Sequence, residues 1–557
     1  MKHLYEKLFQ YAEEGIYPYH MPGHKRQSWG MLPEAMYKTD ITEIEGFDNL
    51  HQPEGILLEL QKEAAKLYGA EESYYLVNGS TCGILSAVSS AIPFGGKILM
   101  ARNCHKSAYH AVYLRHLKVH YLDPPCVEGY GIADALKPEQ ISSVLEEIPD
   151  LGAVLIVSPT YEGRIADVSA IADIVHEKRI PLIVDEAHGA HLGLAEGFAK
   201  NSCQAGADLV IHSVHKTLPA MTQTALLHVN RDLVCRDRLR RFLRIYQTSS
   251  PSYPLIAGID NALHYIKMYG QTVFQHFLRQ YEEMMKVLSA CRHLRFLSGN
   301  ISEQDIGKLV ILVRHTAISG KQLYDILLQR YGLQTEMASE FFVLAMFTVN
   351  DREEAYRRMS EALLEIDGSL EQKPLDESMF SLNEAAGNPS LALSNVEIGN
   401  LTTTGDCVAE TAEVLPADGQ DGEKRIISPA DSRNGEKRII SPADGQDGES
   451  RRSSQSDGRD DERGIILLAD AWDMEAEEIL LEDSIGRYGA EFINLYPPGI
   501  PLLVPGEEIS QKLYLKIRKN LEAGLSVQGI TAETVQDGAG KQFLIKVIKT
   551  EQLEKIK

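Results

Sequence analysis

Paired cysteines are missing from this 557-residue chain: its seven cysteines are odd in number, scattered, and never spaced CxxC. That argues against a disulfide framework or a structural zinc site and predicts reduced thiols in a cytoplasm, with Cys82 and Cys104 as small packing residues and no metal centre. Also lacking is any apolar run near the roughly 18 to 20 residues that a membrane span needs, and Met1 to Leu8 pattern as an amphipathic helix rather than a signal-peptide core. Positive charge is scarce, 56 basic against 79 acidic residues for a formal net charge of -23, which disfavours a nucleic-acid partner and is compatible with a cationic substrate. No GxGxxG occurs, so the dinucleotide fingerprint is absent. What is present is a 44% apolar composition over a length sufficient for several soluble globular domains.

From about 55 to 260, within a large domain expected over 55–285, helical patterns alternate with short apolar, β-branched runs, the signature of an α/β fold with a mostly parallel sheet flanked by helices. Strands are predicted at Lys97 to Ala101, Ala153 to Val157, Pro181 to Val184, Asp208 to Ile211 and Thr224 to Val229. Polar residues or glycine follow each of the first four at once, so their carboxyl ends share the edge where ligands bind in open α/β sheets. An N-terminal arm, 1–54, precedes this large domain. A smaller α+β domain is expected over 286–384, with strands at Lys308 to Arg314 and Phe341 to Phe347 around a helix at Gly320 to Tyr331, and a C-terminal α+β domain over 464–557. Between them no aromatic residue occurs from Ser381 to Ala471, and Gly422 to Asp431 repeats at Gly435 to Asp444 with a period of 13. That period cannot build a core, so 385–463 reads as a flexible insertion in which Ser428 and Ser441 precede prolines.

The chemistry concentrates at the predicted strand ends. Asn78-Gly79-Ser80-Thr81-Cys82-Gly83 opens a helix pattern, where small residues and hydroxyls make an anion cradle; the same residues also describe an ordinary capping turn. Arg102 to Ser107 places His105 on the ligand edge. Asp185 ends an apolar strand, where a buried carboxylate needs a cationic neighbour or strong donors. About one strand–helix–strand unit later, Ser213-Val214-His215-Lys216-Thr217 sets a lysine among phosphate-binding residue types. A lysine for an imine, a carboxylate for a ring nitrogen, phosphate donors and flat or small ring neighbours are the four parts that pyridoxal phosphate catalysis requires.

With His20-Met21-Pro22-Gly23-His24-Lys25, Asp185-Glu186-Ala187-His188-Gly189-Ala190-His191, Ser249-Ser250-Pro251-Ser252-Tyr253 and Tyr496-Pro497-Pro498-Gly499-Ile500-Pro501, these segments stand in the order found in the Orn/Lys/Arg decarboxylase family, which the chain resembles over most of its length. The resemblance implies fold type I of the pyridoxal-phosphate enzymes and α-decarboxylation of a basic amino acid, arginine slightly ahead of lysine or ornithine, in polyamine metabolism. It implies that Lys216 carries the cofactor, Asp185 pairs with its ring nitrogen, His105 and Ala187 flank the ring, and Ser80, Thr81, Ser213 and His215 hold the phosphate, with His215 or Lys216 returning a proton to Cα. It further implies a homo-oligomer, a dimer or tetramer, with active sites at subunit interfaces and the Gln247 to Ser250 segment reaching towards the neighbour. The chain begins almost directly with the His20 motif and so looks like the short form of the family. Glu336, Glu340 and Asp48 are loose candidates for the substrate's basic end. The rival readings are another reaction on the same fold, such as an aminotransferase or a carbon–sulfur lyase, and a non-catalytic binding protein.

Overall fold

The computed structural model describes residues 3–14, 22, 33–127, 131–297, 299–314, 316–370, 467–496, 499–534 and 541–553. The repeat-bearing segment and, apart from Pro22, the His20 to Lys25 motif lie outside them.

Seven strands form the central sheet: β1 (Glu72–Leu76), β2 (Lys97–Ala101), β3 (Lys118–Leu122), β4 (Leu151–Val157), β5 (Leu182–Asp185), β6 (Leu209–His212) and β7 (Ala225–Val229), in the order β1-β7-β6-β5-β4-β2-β3. The pairs β2/β3, β2/β4, β4/β5 and β5/β6 are parallel, whereas β7 runs antiparallel to both β1 and β6. The strands are apolar because helices cover both faces: Leu155, Ile183, Val184, Val210 and Ile211 are all fully buried, each worth about 1.5–3 kcal/mol of burial. Register sets Val157, Asp185 and Ile211 side by side at one edge. Sequence pattern missed β1 and β3 as strands: every residue of β3 is only half-buried, so its apolar signal is weak.

Helix Tyr253–Leu288 starts with proline in its first turn and buries Ile256, Ile259, Leu263, Ile266, Phe274 and Phe277 at spacings of three, four or eight residues. Its buried Asp260 accepts from Leu4 N at 2.8 Å and meets His3 Nδ1 at 2.9 Å, tying down the N-terminal helix. Beyond it an antiparallel four-stranded sheet orders Arg295–Phe296, Lys308–Leu312, Phe342–Met346 and Met337–Ala338, with helix Gly320–Tyr331 packed on it. That helix is started by a Ser319/Gln322 capping box and stopped by Gly332 at φ 64°.

The C-terminal segment forms two three-stranded sheets, Ala476–Leu480 with Lys541–Ile548 and Ile530–Thr534, and Ile500–Leu503 with Ile493–Leu495 and Val527–Gln528. It meets the seven-stranded sheet beside β2: Lys106 N donates to Gly499 O at 3.3 Å, and the Arg102 guanidinium reaches Pro501 O and Glu507 Oε2, each at 2.9 Å. Cys82 and Cys104 are buried, and burial pushes the Cys82 thiol up to about 12. Among the described residues no helix is long and apolar enough to cross a membrane, and no cluster of three or more His, Cys, Asp or Glu could hold a metal ion.

Candidate active site

Four strand ends deliver the site. Asp185 closes β5 at 6% exposure, where its Oδ1 accepts one backbone bond, from Ala187 N at 3.2 Å. Burial raises its pKa, partly offset by Lys216 and the Ala187 N–H. One donor is too little for a buried carboxylate, so Asp185 still wants a cationic N–H. Lys216 follows β6 on the short helix Val214–Thr217. Burial lowers its amine, while Asp185 and Glu336 oppose that shift. A depressed amine facing a carboxylate suits a lysine that must attack a carbonyl.

His105 caps helix Lys106–Arg115 by accepting Ser107 N at 3.2 Å on Nδ1, with Ser107 Oγ at 2.9 Å from the same nitrogen. Burial first, then Lys216, pulls it down to about 4. The imidazole is therefore neutral with its hydrogen on Nε2, flat and fixed. Ala187 is 7% exposed, small enough to leave room beside Asp185.

The phosphate-binding residue types converge as well. Helix Gly79–Ala91 begins without any side-chain cap; Gly79 N donates to Gln223 O at 2.9 Å, and no side chain takes the N–H groups that follow it in the first turn, with Ser80 half-buried and Thr81 exposed. Gly83 is what lets this turn lie against the sheet, since a Cβ there would sit 2.8 Å from Leu76 Cδ1 and 3.0 Å from Ile211 Cγ2. Beyond Ile211, Ser213 Oγ and Thr217 Oγ1 are buried with no hydrogen-bond partner. His215 Nδ1 donates to Thr224 O at 2.8 Å, which leaves Nε2 as its free acceptor. Unpartnered hydroxyls, an uncapped helix start, a carboxylate short of donors and a lysine with a lowered pKa fit pyridoxal phosphate.

A buried chain behind β5 stiffens this edge. Glu186 accepts from Ser202 N at 3.0 Å, Ser202 Oγ at 2.8 Å and His212 Nε2 at 2.6 Å. His212 Nδ1 lies 3.0 Å from His228 Nε2, and His228 Nδ1 lies 2.6 Å from Ser73 Oγ. With Glu186 ionised the donors run in one direction, from the Ser73 hydroxyl through two neutral imidazoles to the carboxylate. Burial pushes both histidines down and lifts the Glu186 carboxyl to about 8, so the imidazoles stay neutral whichever end of the chain supplies the hydrogen.

Of the loose candidates for a substrate end, only Glu336 reaches the site, accepting the Tyr161 hydroxyl and acting electrostatically on Lys216. Asp48 is taken up by the amides of Glu54, Gly55 and Leu57 at 2.9–3.0 Å, and Glu340 pairs with Lys519 at 2.8 Å. Gln247 is spent inside the chain, accepting Val77 N at 3.0 Å, while Thr248, Ser249 and Ser250 are exposed. Sequence reasoning assigned no role to His188 or Lys308. His188 Nε2 is 3.1 Å from Lys216 Nζ and its Nδ1 is 2.6 Å from Lys308 Nζ. His188 stood within a recognised motif, but a lysine opening a strand carries no signal of its own.

A mostly parallel sheet bearing this lysine, carboxylate and phosphate cradle at its carboxyl edge defines a pyridoxal-phosphate enzyme of fold type I. Family comparison narrows the class: "Orn/Lys/Arg decarboxylase, major domain" matches residues 2–326 and "Orn/Lys/Arg decarboxylase, C-terminal domain" matches 468–549. The chain belongs to the Orn/Lys/Arg decarboxylase family and is an amino-acid decarboxylase. It is 30% identical over 535 residues to the uncharacterized protein YaaO of Bacillus subtilis (strain 168), covering 94% of this chain and 95% of that one. It is 28% identical over 546 residues to an arginine decarboxylase of Bacillus anthracis, covering 96% of each. Among solved structures, the Francisella novicida lysine decarboxylase LdcF superposes with a TM-score of 0.69 at 16% identity, over 98% of this chain and 81% of that one.

Proposed function

We propose that the protein removes the α-carboxylate of a basic amino acid, arginine ahead of lysine and ornithine, giving the amine and CO2 for polyamine metabolism. The observation that carries the reading is the buried Asp185 carboxylate, short of donors, beside the depressed amine of Lys216. When bound, pyridoxal phosphate supplies an electron sink for the pair left on Cα as the carboxylate departs. Lys216 would carry it, Asp185 would keep its ring nitrogen protonated, His105 and Ala187 would flank the ring, and Ser80, Thr81, Ser213 and His215 would hold the phosphate. After CO2 leaves, Lys216 Nζ or His215 Nε2 would deliver the proton to Cα. Glu336 is the acidic group placed to meet a cationic substrate end, and the names of relatives such as the B. anthracis arginine decarboxylase support the arginine preference.

The same reading takes the protein as a dimer or tetramer with active sites at subunit interfaces, where the exposed Thr248, Ser249 and Ser250 would approach a neighbour. It divides the chain near 285 and 464, supported by each sheet closing its strands within one span. The test is a panel of arginine, lysine and ornithine, with CO2 counted and product amines separated by chromatography. Arginine is expected to be turned over fastest and Lys216→Ala to be inactive. No CO2 from any of the three would overturn the basic-substrate reading; lysine or ornithine in the lead would overturn the preference alone.

A further inference from the structure

Lys308 is 1% exposed, and among the described residues no carboxylate lies within ion-pair distance of it. Its Nζ touches His188 Nδ1 at 2.6 Å and Met346 Sδ at 3.4 Å, and stands 5.4 Å from the centre of the Tyr161 ring. The same imidazole meets Lys216 through its other nitrogen. Tyr161 packs against His188 edge to face at 4.9 Å, which fixes the ring between the two lysines. Hydrogen-bond direction then constrains charge. An ammonium only donates, whereas a neutral imidazole donates from one nitrogen and accepts at the other. Two flanking ammonium groups would leave the imidazole hydrogen aimed at a donor. An imidazolium would require two neutral amines, and burial between two lysines drives His188 far from that state. No more than one ammonium fits, and one ammonium with one free amine satisfies every group while keeping a charge-assisted bond. The shorter contact, on the Lys308 side, marks the charge-assisted bond.

We propose that Lys308 and Lys216 share a single ammonium charge through His188, held on Lys308, so that Lys308 is a positioning residue that keeps the Lys216 amine unprotonated. Lys308 donates to Nδ1, and Nε2–H donates to Lys216 Nζ. When Lys216 takes up a proton, Nε2–H passes to it while Lys308 gives its own proton to Nδ1; one lysine gains what the other loses, and the imidazole stays neutral. Carboxylates act on both lysines. Asp305, Glu336 and Glu162 favour charge on Lys308, and burial brings that amine to about 8, low enough to lend its proton near neutrality. Asp185 and Glu336 act on Lys216, and His105 and His215 act on His188 less than the two lysines do.

The inference rests on Lys216 as the cofactor-bearing lysine, and the experiment separates the two. Borohydride reduction of the loaded enzyme followed by peptide mapping locates the cofactor; attachment elsewhere overturns the site assignment. For the charge sharing, the full chain is freed of cofactor with hydroxylamine and dialysis. It is then labelled with trace acetic anhydride across pH, with label at Lys216 read by mass spectrometry against exposed Lys62. Lys308→Met should raise the Lys216 labelling midpoint by about one pH unit, roughly a tenfold loss of label below the midpoint. Lys308→Arg, which keeps the charge, should leave it low. An unchanged midpoint in Lys308→Met, or Lys308→Arg behaving like Lys308→Met, overturns the proposal. A wild-type measurement covers a variant that does not fold. In 15N-histidine spectra, with His188 assigned by its loss in His188→Gln, the ring should be neutral with hydrogen on Nε2, and hydrogen on Nδ1 would overturn the proposal.

Discussion

Arg102 joins the catalytic edge of the large domain to the C-terminal segment, and Arg102→Met isolates that link. The side chain is 16% exposed. Its Nη1 donates to Tyr109 O–H at 2.8 Å and to Pro501 O at 2.9 Å, and its Nη2 to Glu507 Oε2 at 2.9 Å. Methionine keeps the length and loses every donor. The buried Pro501 carbonyl would lose its guanidinium partner, at about 1–3 kcal/mol. Glu507 is 32% exposed and keeps a bond from Val504 N at 2.9 Å, so its loss falls at the low end, about 1 kcal/mol. The sum is about 3 kcal/mol, felt where strand Ile500–Leu503 docks. Hydrogen exchange followed by mass spectrometry should show amides of that strand exchanging roughly 100-fold faster in Arg102→Met, since about 1.4 kcal/mol is tenfold. Glu507→Gln should change them less than tenfold. Because Gly499 lies against the His105 ring, decarboxylase activity should fall with the loosening. Unchanged exchange over 500–503 in Arg102→Met would refute the anchoring argument.

Two further perturbations test the edge itself. The His105 pKa is lowered to about 4 against an ordinary value near 6.5, so the neutral ring's contribution is fully present above about pH 6.5 and lost as pH falls through about 4, on the order of 2–3 kcal/mol. His105→Phe loses the cap on Ser107 N, about 1 kcal/mol, and should be less stable than wild type in urea at mildly alkaline pH, with the gap closing or reversing towards pH 4; a pH-independent gap would contradict the buried neutral imidazole. Gly83→Val should push the first turn of helix Gly79–Ala91 off Leu76 and Ile211, costing about 1–3 kcal/mol, and cofactor retained after dialysis should drop severalfold; full retention would remove that turn from the phosphate site.

Much of the site was legible because strand ends are legible. The apolar runs before Asp185 and Lys216 gave β5 and β6, and parallel register brings the residues at their carboxyl ends to one edge. Helix Gly320–Tyr331 could be read whole, because its capping box and terminal glycine are local signals. Non-local pairings could not be read. The amide of Gln247 looks like a loop side chain in sequence, yet it accepts Val77 N, 170 positions away.

Fold type, the lysine and carboxylate at one sheet edge and the family were all legible in the chain of residues, because strand periodicity and short polar motifs are properties of consecutive residues. Tertiary structure alone decided which acidic residue faces the site, since Glu336, Glu340 and Asp48 carry the same carboxylate and differ only in the donors that fold around them. It also decided that Lys308, 120 positions beyond His188, completes a three-group chain to Lys216. Burial and hydrogen-bond direction set the charge of those amines, and neither exists until strand Lys308–Leu312 packs beside the edge that carries His188 and Lys216.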